Sequence, residues 1–107
     1  MSDAADFQKA LQQFRDDYAR QVPERLAEAR AFLRQCLAAP QDEEPLRGLH
    51  GIVHKIAGSA GTFGLKDLSV AARTLEERLD AMLLQPARTR DDFAPLQDEL
   101  AGLDRLL

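Results

Sequence analysis

Two histidines, His50 and His54, stand four residues apart in a stretch that also holds Gly48, Gly51, Gly58 and Gly61. An imidazole can ligate a metal, or it can attack an electrophile through a ring nitrogen. The i, i+4 spacing would let two rings share one metal ion. A transition-metal site needs a third or fourth ligand, however, and no His-Glu-x-x-His pattern occurs, so no metal is expected. The one cysteine, Cys36, lies on an apolar stripe with Leu33 and reads as core rather than as a nucleophile; alone it forms no internal disulfide and no cysteine-based zinc site. The glycines fall in a helical stretch and no Walker lysine accompanies them, so the chain is not expected to bind ATP by itself. Asp42, Glu43 and Glu44 read as helix capping and solvated charge rather than as a metal loop.

Glycine inside a helix costs about 1 kcal/mol relative to alanine, so four of them around two histidines need a compensating reason. A helix turns about 100° per residue. With His54 at the origin, Gly61 lies at about −20°, Arg47 at about +20°, His50 at about −40°, Gly58 at about +40°, Gly51 at about +60° and Ala57 at about −60°. Small residues thus surround the His54 ring and would let a large convex partner reach it. Two readings stand side by side: Gly51, Ala57, Gly58 and Gly61 form an access face for a partner, or the glycines serve close helix packing and His54 is an ordinary surface residue.

The elements that must position this face are helical throughout. Phe7, Leu11, Phe14 and Tyr18 step by four, three and four, which predicts an amphipathic helix over about residues 3 to 20. Pro23 suits the first turn of a second helix, whose stripe runs through Val22, Leu26, Ala29, Leu33 and Cys36 to about Ala39. A third helix starts near the acidic run at 42–44, carries Leu46, Leu49, Val53, Ile56 and Ala60, and ends between Thr62 and Gly64, with Gly64 as a left-handed cap. The fourth opens at Lys66-Asp67, carries Ala72, Leu75, Leu79 and Met82, and stops before Pro86. The last, over about residues 89 to 106, presents Phe93, Leu96, Leu100 and Leu103, with Pro95 expected to delay its start.

Linkers of two to six residues and the absence of strand alternation predict an all-α fold, an antiparallel up-and-down four-helix bundle. The first helix is expected to cap one end as an N-terminal capping helix, because four helices of about 25 Å already close a core. A chain of 107 residues, 45% hydrophobic and 30% charged, suits one domain over residues 1–107 and excludes intrinsic disorder. No segment is long and apolar enough for a membrane span, and no secretory signal is visible, which predicts a cytoplasmic protein with no membrane partner. The net charge of −4 argues against nucleic acid.

The run Val53-His54-Lys55-Ile56-Ala57-Gly58-Ser59-Ala60-Gly61-Thr62-Phe63-Gly64-Leu65, followed by Leu75-Glu76, resembles the histidine-containing phosphotransfer (HPt) domain of two-component phosphorelays. The resemblance extends over nearly the whole chain. It implies that His54 is the phospho-acceptor and that Glu76, on the next helix, bonds the ring nitrogen that is not phosphorylated. Many members carry lysine three positions after the histidine. Here that position is Ala57, and Lys55 is expected to swing toward the phosphoryl group instead, with Arg47 as the other local cation.

Such a protein is a phosphoryl carrier without kinase activity of its own. It exchanges the group reversibly with aspartates of response-regulator receiver domains, downstream of a hybrid sensor histidine kinase. It needs no cofactor, since Mg²⁺ is expected on the receiver, and a monomer is expected. Two alternatives belong to other classes: a helical adaptor that regulates a receiver without carrying phosphate, and the N-terminal phosphotransfer module of a chemotaxis-type histidine kinase.

Overall fold

A computed structural model describes residues 3–107. It contains four α-helices, α1 (Asp3–Ala38), α2 (Glu43–Ser59), α3 (Lys66–Leu83) and α4 (Arg90–Asp104), and no strand among the described residues. Short connections turn each helix back along its predecessor. α2 lies between α1 and α3, and α4 closes the bundle against α1 and, more lightly, α3. The core follows the apolar stripes: Val22, Leu26 and Leu33 from α1 meet Leu49 and Val53 from α2, Leu75 and Leu79 from α3, and Phe93, Leu96 and Leu100 from α4, all buried. Each such side chain contributes about 1.5–3 kcal/mol by leaving water.

The expected break at Pro23 does not occur. One helix of 36 residues runs through it, where two had been expected. A proline inside a helix lacks the N–H that would bond the carbonyl four residues back and costs about 3 kcal/mol. Contacts on both sides of Pro23 keep the helix continuous. After it, Leu26, Ala29 and Leu33 are buried in the core. Before it, the Tyr18 ring stacks on Phe63 at 4.6 Å, and the Tyr18 and Ser59 hydroxyls share a 2.7 Å hydrogen bond.

There is accordingly no separate N-terminal capping helix. The start of α1 continues past the turn that ends α2, and the molecule is 61 Å long by about 20 Å across. Phe7 and Phe14, expected to face the bundle, are 65% and 61% exposed.

The loops are fixed by identifiable caps. Asp42 caps α2, its carboxylate accepting from the Glu44 N–H at 3.1 Å. α2 ends at Ser59 and tightens from there, with i to i−3 bonds from Thr62 and Phe63. The Leu65 N–H then donates to the Ala60 carbonyl (2.8 Å) and the Gly64 N–H to that of Gly61 (3.2 Å), the paired bonds of a Schellman motif. Gly64 sits at φ +84°, the left-handed conformation expected of it. α4 starts at Arg90 despite Pro95, because the Asp92 carboxylate accepts from the Thr89 N–H at 2.8 Å and organises the first turn.

At the opposite end of the bundle, the buried Arg88 ties two loops together. Its guanidinium donates to the carbonyls of Pro40 (3.3 Å), Gln41 (3.4 Å), Met82 (3.2 Å) and Gln85 (3.3 Å). Gln41 returns the contact, its amide oxygen accepting from the Arg88 N–H at 3.2 Å. Near by, Cys36 is fully buried and its thiol is pushed up to about 11, chiefly by that burial. It is core, as its place on the apolar stripe suggests, since a thiolate nucleophile needs the opposite environment.

Candidate functional site

Because Leu49, Val53 and Ile56 point α2 into the core, His54 is left on the outside, its side chain 67% exposed. The ring is nevertheless held. Its Nδ1 hydrogen-bonds to Oε2 of Glu76 on α3, a carboxylate whose own side chain is only 14% exposed. A carboxylate accepts, so Nδ1 carries the proton, and in the neutral ring Nε2 keeps its lone pair and points away from Glu76. This is an oriented nitrogen nucleophile in open solvent.

His50 repeats the arrangement one turn earlier. Its Nε2 lies 2.6 Å from Oδ1 of Asp80, and its ring stands nearly parallel to that of His54, 8° apart in plane and 6.1 Å between centroids. The two rings therefore lie side by side, each turned to its own carboxylate. No group of three or more His, Cys, Asp or Glu side chains among the described residues is arranged to hold a metal ion.

The glycines divide into two kinds. A Cβ added at Gly51 or Gly58 would meet nothing within 4 Å, so both leave bare surface next to His54. At Gly61 it would touch the Ser69 side chain at an ordinary 3.6 Å, whereas at Gly48 it would sit 2.6 Å from the Phe32 ring. Gly48 thus leaves room for the Phe32 ring of α1, which would have to shift to admit a side chain there. Ala57, expected on the access face, is buried at 2% exposure. Its edge of α2 is the line along which α3 makes contact.

Neither of the two cations expected near His54 contacts its ring. The Arg47 guanidinium pairs with Glu43 at 3.2 Å, at the start of α2. Lys55 lines the groove between α1 and α2 with Tyr18, Gln21, Arg25 and Glu28, whereas the His54 ring engages α3.

A seam not foreseen from the sequence joins α2 to α3. Ser69 donates its hydroxyl to the Ala57 carbonyl (2.7 Å), Arg73 donates Nη2 to the same oxygen (3.5 Å), Glu76 holds His54 and Asp80 holds His50. These four α3 residues step by four, three and four, each one position after a core residue, Leu68, Ala72, Leu75 and Leu79. That offset was the available signal, since a polar stripe adjoining an apolar one marks the edge of a helix interface.

The bundle thus presents two carboxylate-held imidazoles, of which His54 is the more exposed and lies beside bare, glycine-flanked surface. Residues 9–106 match the Hpt domain, and the chain belongs to the Hpt family. Its general role is histidine phosphotransfer in phosphorelay signalling. Comparisons with curated proteins and with solved structures gave no match. No helix among the described residues is long and apolar enough to cross a membrane.

Proposed function

We propose that His54 is the phospho-acceptor and exchanges its phosphoryl group reversibly with the aspartate of a response-regulator receiver domain. The observation that carries this reading is the His54–Glu76 pair. It commits Nδ1 to a carboxylate and turns Nε2 outward, where Gly51 and Gly58 leave room for a partner's convex surface.

In the forward step the Nε2 lone pair attacks the phosphorus of an aspartyl phosphate. The N–P bond forms as the O–P bond breaks, and the electron pair leaves with the aspartate carboxylate. Positive charge grows on the imidazole as the bond forms, and Glu76 stabilises it through the Nδ1 proton. The chain contributes orientation and access, and the receiver brings the Mg²⁺ and its own acidic cluster. On this reading the partners are receiver domains and a hybrid sensor histidine kinase, met in the cytoplasm by a monomeric, single-domain carrier without kinase activity of its own.

Incubation with a radiolabelled phospho-receiver tests the proposal. Label should move to this chain in an acid-labile, base-stable form and be absent from His54→Gln. Label retained by that variant would refute the assignment.

A further inference from the structure

A phosphoryl group on Nε2 would add close to two negative charges beside a ring that Glu76 already holds through a carboxylate. Such a group calls for a cation, and several lie on the helices around it. Arg47 is neutralised by Glu43, and Arg78 by Glu99 at 2.9 Å. Lys55 lines the α1–α2 groove. Arg73 differs from Arg47 and Arg78 in having no carboxylate within salt-bridge distance among the described residues, and from Lys55 in lying on the α2–α3 seam; its one polar contact is the 3.5 Å bond to the Ala57 carbonyl.

That contact locates the guanidinium. Ala57 is three residues after His54 on α2, and Arg73 is three before Glu76 on α3, so the charge rests about one turn from the ring, on the same seam. A bond at 3.5 Å is at the weak limit of hydrogen-bond geometry and is readily exchanged for a better acceptor. Phosphoryl oxygens are such acceptors, and a guanidinium can grip two of them at once.

We infer that Arg73 of α3 is the phosphoryl-binding residue of this chain, leaving the Ala57 carbonyl to clasp the phosphoryl group on His54. The inference rests on the phosphotransfer reading above and adds the side chain that holds the transferred group. Arg73 then favours the phosphohistidine over the free ring, so it acts on the equilibrium of the transfer and not only on its rate.

The test is the equilibrium partition of label between this chain and a receiver, with both proteins dilute enough that the complex is scarce. Arg73→Gln is expected to shift the partition about fivefold toward the receiver aspartate, the upper range for an exposed charge pair. The shift should shrink as salt is raised. Arg73→Lys should recover part of it, since the charge remains but the bidentate fork is lost.

A partition equal to wild type at low salt in Arg73→Gln overturns the inference. So does a slower transfer with an unmoved partition, which would make Arg73 a receiver contact. A wild-type chain that takes no label defeats the phosphotransfer reading itself, and the two failures are thereby distinguished.

Discussion

Replacing Glu76 by glutamine removes one charge and almost nothing else. The amide oxygen can still accept from Nδ1, so the ring keeps its orientation and the bond changes from charge-assisted to neutral. A hydrogen bond to a charged group is worth about 1.5–3 kcal/mol and a neutral one about 0.5–1.5, so the difference is about 1–1.5 kcal/mol. Glu76 is 14% exposed, so solvent screens the pair less than it would a surface pair. The difference bears on the step in which the ring becomes cationic, and transfer from a phospho-receiver should slow about tenfold. Rapid-quench measurement of label arriving on the chain, with receiver in excess, reads that rate directly. The thermal midpoint should fall by a few degrees as well, since the free ring also gives up a charge-assisted bond. Transfer at the wild-type rate in Glu76→Gln would show that the carboxylate only packs beside the ring, and the role assigned to its charge would be wrong.

His54→Gln should abolish labelling with helix content and melting nearly unchanged, while His50→Gln keeps the label; loss of label only in the latter would reverse the assignment of the two rings. Gly58→Leu should gain up to about 1 kcal/mol of helix propensity, seen as a raised melting temperature, and yet slow phosphotransfer by standing in the partner's path; unchanged transfer would make Gly58 a bystander. Arg88→Met removes four side-chain hydrogen bonds and leaves loop carbonyls unpaired, for a loss of about 2–4 kcal/mol in urea unfolding, with labelling intact in the folded fraction. Pro23→Ala should stabilise by up to about 3 kcal/mol, restoring the bond to the Ala19 carbonyl; a destabilised variant would show that α1 needs the proline.

The residues whose environment is set within one helix were legible from the sequence. The stripes of α2, α3 and α4 name their own buried sides, and Gly64 declares the left-handed turn because little else tolerates it. Pro23 misled because local chemistry does favour a boundary there, and only tertiary contacts, Tyr18 on Phe63 before it and the buried stripe after it, outweigh the lost hydrogen bond. Ala57 misled for a related reason. A helical wheel gives angles about one axis and does not say which neighbour lies at which angle; α3 covers the Ala57 edge, whereas Lys55 stays exposed beside the α1–α2 groove. Arg88 has no periodic signature at all, since its partners are backbone carbonyls from two loops distant in sequence. The pairing of His54 with Glu76 was reached through the family resemblance, and the structure supplies its geometry.

The seam between α2 and α3 also bears on how the chain selects its fold. Leucines and alanines spaced three and four apart can slide one turn, about 5.4 Å, and find nearly equivalent apolar neighbours. The polar contacts cannot slide so cheaply. A slip in one direction would bring Arg73 opposite His54 and leave Asp80 without its imidazole; in the other, Asp80 would take His54 while Glu76 faced the carbonyl of Ala57, acceptor against acceptor. The second misalignment strands the largely buried Glu76 at a helix contact, where an unsatisfied charge costs several kcal/mol, whereas Asp80, 57% exposed, loses less when its imidazole moves away. The side chains that ready His54 for chemistry thus also act as alignment marks for the two helices. A variant that erases both histidine–carboxylate pairs would lose a unique α2–α3 alignment along with its activity, visible as doubled or broadened resonances along that interface.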